Sequence, residues 1–122
     1  MREVLQGKIH KATVTEAELN YVGSITIDED LIERAGFWHG QKVLVVSNTT
    51  GQRLETYVIG GERHSGIIGV NGAAAHLINA GEEVLIIGFC FSDKPVEPKV
   101  VLVDQDNRFV RFLSEEPRLA LA

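Results

Sequence analysis

The chain has 122 residues, 44% apolar and 24% charged, with a formal net charge of −5. That is one ordinary domain, with enough apolar surface for a hydrophobic core without disulfides or metals. An acidic chain lacks the basic footprint of a nucleic-acid binder and gains nothing from an anionic membrane surface, and its single cysteine, Cys90, cannot form an internal disulfide. Met1 to Lys8 lacks the apolar core of a signal peptide, and no apolar stretch is long enough to cross a bilayer, so a cytoplasmic protein is expected.

Strand signals dominate in chain order. Ile9 to Thr15 and Ser24 to Ile27 are rich in β-branched residues. Asp28 then predicts a helix cap for Glu29 to Ala35, with Leu31, Ile32 and Ala35 on one face and Gly36 as the stop. Lys42 to Val46 is a strong strand, Asn48-Thr49-Thr50-Gly51 a turn, and Arg53 to Ile59 the returning strand. Ile67 to Val70 reads as a strand ended by Asn71-Gly72, and Ala73 to Ala80 as two helical turns closed by Gly81. Val84 to Phe91, which contains Cys90 as a buried thiol, and Val100 to Val103 are the last strong strands. Residues 104–107 turn the chain into a final strand, Arg108 to Phe112. The tail from Ser114 to Ala122 is expected to be loose or to dock on a neighbour. Many short strands with turns between them predict a closed β-barrel or sandwich.

Four clusters carry candidate chemistry. Gly23-Ser24, alone, reads as a turn before a strand. The same pair has the minimum parts for backbone cleavage: a serine hydroxyl can attack the preceding carbonyl, glycine crowds that carbonyl least, and a donor is needed for the oxyanion. The ester so formed can eliminate, and hydrolysis leaves a pyruvoyl cap, a ketone able to form a Schiff base with a substrate amine and act as an electron sink. In Arg53-Leu54-Glu55-Thr56-Tyr57, strand alternation puts Arg53, Glu55 and Tyr57 on one face and Leu54 and Thr56 on the other. An arginine fork suits a carboxylate and a tyrosine hydroxyl can give a proton, although a solvated hairpin face has the same pattern. In Val70-Asn71-Gly72-Ala73-Ala74-Ala75-His76, small residues after a tight turn let a ligand reach backbone N–H groups. Lys8-Ile9-His10-Lys11 lies on the first strand. His39, His64 and His76 do not form metal-ligand spacing with one another or with Cys90, and there is no phosphate loop or GxSxG elbow.

Taken together, the clusters closely resemble the pyruvoyl-dependent aspartate 1-decarboxylase family. The matching segments are Leu5 to Ala12, Leu19-Asn20-Tyr21-Val22-Gly23-Ser24, Ile27-Asp28, Arg53 with Thr56-Tyr57, Gly61-Glu62-Arg63 and Val70 to His76, in order across residues 1–104. The resemblance implies a mostly β fold, a double-psi β-barrel with short helices, as one domain over residues 1–122. It implies a zymogen that self-cleaves between Gly23 and Ser24 into chains 1–23 and 24–122, the longer one beginning with a covalent pyruvoyl group from Ser24, and no metal or pyridoxal phosphate. The implied reaction takes L-aspartate to β-alanine and carbon dioxide for pantothenate and coenzyme A synthesis. The implied assembly is a homotetramer with sites between subunits, with a maturation factor as a further expected partner.

By the same resemblance Ser24 is the pyruvoyl precursor, Gly23 supplies the attacked carbonyl, and Thr56 stabilises the cleavage oxyanion and contacts substrate. Tyr57 is the proton donor, and Lys8 and Arg53 hold substrate carboxylates without an assignment between them. Gly72, Ala73 and Ala74 form the substrate-binding backbone, while Asn71, Tyr21 and His10 support the site. His64-Ser65-Gly66 and the C-terminal tail depart from the family pattern, away from these positions. Two alternatives remain: a non-catalytic oligomeric β-barrel binding module with Gly23-Ser24 uncleaved, and a family enzyme acting on another acidic amino acid such as glutamate.

Overall fold

The computed structural model describes residues 1–117. Alternating and β-branched segments form nine strands: β1 (Arg2–Thr13), β2 (Glu16–Glu18), β3 (Ser24–Asp28), β4 (Lys42–Ser47), β5 (Arg53–Gly61), β6 (Ile68–Asn71), β7 (Glu83–Ser92), β8 (Lys99–Val103) and β9 (Phe109–Leu113). They hydrogen-bond in the order β2-β6-β3-β5-β4-β7-β1-β8-β9. Only Val14 and Thr15 separate β1 from β2, although these strands stand first and seventh in that order. The two linking residues form the seam. Val14 N–H donates to the carbonyl of Glu82, just before β7 (2.9 Å), and Thr15 N–H donates to the Ile68 carbonyl on β6 (2.8 Å). One continuous segment therefore pairs with β7 along its first half and β6 along its second, and the wall closes on itself. This mostly β architecture is consistent with a double-psi β-barrel. The parallel pairs β1·β8, β2·β6 and β3·β5 lie among antiparallel ones.

Inward residues of the wall fill the interior, with Ile9, Ile25, Ile27, Val45, Val58, Ile68 and Ile86 all buried in one cluster. The one α-helix among the described residues, α1 (Glu29–Ala35), follows β3 with the expected signals. Asp28 accepts from the Asp30 N–H at 2.9 Å, and Gly36 ends the helix at φ +75°. Asp28 does more than cap, because its buried carboxylate also accepts from the N–H groups of His64 (3.0 Å) and Gly66 (2.9 Å). That ties the loop after β5 to the end of β3.

Three expectations change. The first strand begins at Arg2 and ends at Thr13, since Val14 and Thr15 are taken up by the seam. The helix expected over 73–80 is one 3-10 turn, Gly72–His76, because Ile78 is drawn fully into the core and the chain bends until Gly81 N–H reaches the Val14 carbonyl (2.8 Å). Cys90 is half-buried rather than buried: beyond Gly88 the strand β7 runs past the barrel interior, and its neighbours Phe89 and Phe91 are exposed. Of the tail, residues 118–122 lie outside the described residues.

Glu82 braces the seam from its side chain. Ser47 Oγ donates to Oε1 (2.6 Å) and the Asn79 N–H donates to Oε2 (2.7 Å). The Ser47 hydroxyl first, and then the Asn79 N–H, hold the buried carboxyl below the ordinary glutamate range against the opposing effect of burial. A depressed folded pKa gives stability that is fully present above the ordinary glutamate value (~4.3) and is lost as pH falls through the folded value. Denaturant titrations should therefore find Glu82→Gln less stable than the parent at neutral pH, with the gap narrowing below about pH 4.3.

Candidate active site

Ser24 opens β3 and pairs directly with Asn71, the last residue of β6. Alternation sends Ile25 and Ile27 into the core and turns Ser24 and Thr26 to the other face. Ser24 is nevertheless only 2% exposed and Asn71 only 3%. Asn71 Nδ2 donates to Ser24 Oγ at 3.0 Å and to Thr26 Oγ1 at 2.9 Å, while Ser24 Oγ donates to the Val22 carbonyl at 3.3 Å. Asn71 Oδ1 is buried without a partner among the described residues. Such an acceptor is expensive to leave unmet in a folded protein. It lies at the Ser24 centre, on the same side chain whose Nδ2 holds the Ser24 hydroxyl.

The turn after Asn71 closes this centre from the other side. Gly72 has φ +73°, and a β-carbon there would lie 2.7 Å from Gly23 Cα and 2.9 Å from Gly23 N. Glycine is needed twice over, for the dihedral and for the approach of one backbone to another. At Gly23 itself a β-carbon would meet only the Asn71 carbonyl, at 4.0 Å.

Strand β5 supplies the next residues. It runs parallel to β3 with Ile25 opposite Val58. Thr56 and Tyr57 directly precede Val58 on β5, as Gly23 and Ser24 directly precede Ile25 on the adjacent segment. Thr56 is half-buried on the side of Leu54, and Tyr57 is 39% exposed on the side of Arg53 and Glu55, as alternation requires. Arg53 is four residues back on that face, about 13 Å along the strand. Between the two, Glu55 is paired with Lys42 at 2.7 Å.

Lys8 stands on β1, on the β7 side of the wall. Its register runs Lys8–Ile87–Leu44–Glu55 across β1, β7, β4 and β5, so it stands three strands from β5 and roughly 14 Å from it along the wall. Its ammonium pairs with the Glu115 carboxylate from the C-terminal segment. His10, on the same strand, has a buried Nδ1 with no partner among the described residues. Burial first, then the charges of Lys8 and Lys11, push its pKa below the ordinary histidine value. Of the other expected residues, Tyr21 is exposed, Ala73 is exposed and Ala74 packs against the core beside Gly72. Thr26 and Glu115 were not singled out from sequence. Thr26 had a signal, since it lies two residues beyond Ser24 on the same strand face, whereas nothing local marks Glu115 as the partner of Lys8.

Fold and site together define a small β-barrel protein with a buried serine hydroxyl at a glycine–serine junction, held by an amide from the adjacent strand. The family model described as Aspartate decarboxylase matches residues 1–110. The aspartate 1-decarboxylase of Neisseria meningitidis serogroup C is 51% identical over 120 residues, 95% of this chain and 94% of that protein. That of Bacillus subtilis strain 168 is also 51% identical over 120 residues, with the same 95% and 94% coverage. That of Acetivibrio thermocellus is 53% identical over 117 residues, 93% of each chain. The chain belongs to the aspartate decarboxylase family.

The close approach of Gly72 to Gly23 predicts a contrast between two glycines of similar dihedral. Gly81 has φ +91° with nothing near a β-carbon. Gly81→Ala should lose roughly 1–2 kcal/mol for the left-handed backbone alone. Gly72→Ala should lose distinctly more in the same denaturant titration, because it must also displace residue 23.

Proposed function

We propose that the chain is a pyruvoyl-dependent aspartate 1-decarboxylase that makes its own prosthetic group by cleaving itself between Gly23 and Ser24. The observation that carries this reading is the Ser24 hydroxyl, buried at the Gly23 junction and held by Asn71, in a member of this family. In the first step Ser24 Oγ attacks the Gly23 carbonyl carbon. The C–N bond breaks, the Ser24 nitrogen takes up the hydroxyl proton, and an ester joins the two parts. Loss of the Ser24 α-proton then expels the Gly23 carboxylate and leaves an enamine at residue 24, which water converts to the pyruvoyl ketone with release of ammonia.

The residues around the bond suit that sequence. The Asn71 N–H on Ser24 Oγ leaves the hydroxyl proton free to depart and steadies the oxygen as it attacks. Gly23 keeps the carbonyl open to approach, and Thr56, two residues before the Val58 that pairs with Ile25, is the donor for the oxyanion.

The pyruvoyl ketone would capture the amine of L-aspartate and draw off the electrons released as carbon dioxide leaves. The backbone of Gly72, Ala73 and Ala74 lines the approach, and Tyr57 holds the proton that returns to carbon. Lys8 and Arg53 are the cations for substrate carboxylates. Because the ammonium of Lys8 is engaged by Glu115 and its register reaches β5 only across β7 and β4, the reading calls for it to come from a second copy, in a homotetramer with sites between subunits. The exposed apolar side chains of Trp38, Tyr57, Ile59, Phe89 and Phe91 support such an assembly. Glu115 then stands where a substrate carboxylate must displace it from Lys8. β-Alanine formed this way would supply pantothenate and coenzyme A synthesis in the cytoplasm, with maturation helped by a partner protein or proceeding unaided. The alternative of a non-catalytic barrel has no comparable support among relatives that carry a decarboxylase name.

Release of carbon dioxide tests the reading. The protein should release it from L-aspartate and at most weakly from L-glutamate. Ser24→Ala should remain one chain and release none. Tyr57→Phe should still be cut, yet turn over at least about a hundredfold more slowly, the range for losing a proton-transfer group. Full activity in Ser24→Ala would overturn it.

A further inference from the structure

We propose that Thr26 is a positioning residue for the Ser24 centre: its hydroxyl holds the Asn71 amide against Ser24 and keeps that amide in place when the Ser24 oxygen is gone. The second half of this statement rests on the cleavage reading above. The first half stands on geometry alone.

The Asn71 side chain is buried and makes two hydrogen bonds, both through Nδ2: 3.0 Å to Ser24 Oγ and 2.9 Å to Thr26 Oγ1. An amide nitrogen has two hydrogens, so each hydroxyl receives one. Turning the amide over would let Oδ1 accept from both hydroxyls, but it would bury two unmet N–H groups where the present orientation leaves one unmet acceptor. The donor orientation is the better satisfied of the two. It is also the one that leaves Ser24 free to direct its own proton elsewhere, as its contact with the Val22 carbonyl indicates.

Two hydroxyls on one face hold the amide as a pair of pegs. If Ser24 Oγ leaves, one peg is lost, and Asn71 would be free to rotate but for Thr26. Thr26 is itself held. It is paired with Gly69 on β6 and Ile59 on β5, in the middle of both ladders. Its methyl group lies against Gly61, where an added β-carbon would come within 2.9 Å of Thr26 Cγ2. A β-branched side chain in a strand has few rotamers, and a methyl fixed on one side fixes the hydroxyl on the other. Gly61 thus makes room for the methyl, the methyl aims the hydroxyl, and the hydroxyl aims Asn71. The pattern is readable only once Ser24, Thr26 and Asn71 are known to share one sheet face.

Two variants and two readouts test this. Thr26→Val keeps the branched shape and removes the hydroxyl, while Thr26→Ser keeps the hydroxyl. Intact-mass time courses should show cleavage slowed about five- to tenfold in Thr26→Val and returned to within twofold of the parent in Thr26→Ser. In an Asn71→Ala background, Thr26→Val should slow cleavage no further, because Thr26 acts through Asn71. Independently of any cleavage, NMR of the uncut Ser24→Ala chain should find the Asn71 side-chain amide protons protected from exchange, and adding Thr26→Val should abolish that protection. Cleavage at the parental rate in Thr26→Val, equal slowing in both Thr26 variants, or unchanged Asn71 protection without the Thr26 hydroxyl would each overturn the proposal. An uncut parent with an Asn71 amide protected only when Thr26 is present would instead count against the cleavage reading and leave the positioning role standing.

Discussion

The Asn71 side-chain amide, shared between the hydroxyls of Ser24 and Thr26, is the contact on which the functional centre depends. It exists because β3 and β6 run antiparallel with Ser24 directly opposite Asn71. A shift of one residue in that ladder would turn Ser24 and Thr26 into the core and bring Ile25 and Ile27 out. The deep burial of those two isoleucines therefore fixes the register that aligns the polar trio. Hydrophobic packing on one face of a five-residue strand sets the chemistry available on the other.

The barrel wall also decides what one chain cannot do. Closure through Val14 and Thr15 holds β6, β3 and β5 side by side, which brings Asn71 and Gly72 onto the Gly23-Ser24 junction and sets the strand that carries Thr56 and Tyr57 beside β3. The same wall holds Lys8 on β1, beyond β7 and β4, with its ammonium engaged by Glu115. A dicarboxylate substrate needs cations. The proposed sharing of the site between copies rests on the pairing of Lys8 with Glu115 together with the aromatic side chains left exposed along β5 and β7. The turn at Gly72 adds a steric constraint, because a β-carbon at residue 72 would collide with the backbone of Gly23.

Much of this was legible in the residues. The helix after Asp28 is bounded by signals that act within four residues, and its two ends fall where they were expected. The alternation of Arg53 to Tyr57 also held, since burial of Leu54 on one face is a local demand. Features that depend on distant partners were not legible. The three residues of β2 carry no pattern of their own and form a strand because β6 lies beside them. The alanine run after Gly72 suits a helix, but burial of Ile78 and the pull of Gly81 toward the seam cut it to one turn. The motif around Gly23-Ser24 was informative only as part of an ordered set, and the role of Thr26 needed the register of two ladders. The pairing of Lys8 with Glu115 spans almost the whole chain, so nothing near either residue announces it.

The central claim is that Ser24 is consumed to make a ketone at a new chain start. The most direct measurement is the intact mass of the mature protein before and after a carbonyl-trapping reagent. The account predicts two chains, 1–23 and 24–122, with the larger one lighter by one ammonia than simple hydrolysis would leave it and shifted by one equivalent of reagent. A single uncut chain that takes up no reagent after full maturation, or a larger chain that begins with an intact serine, would contradict it.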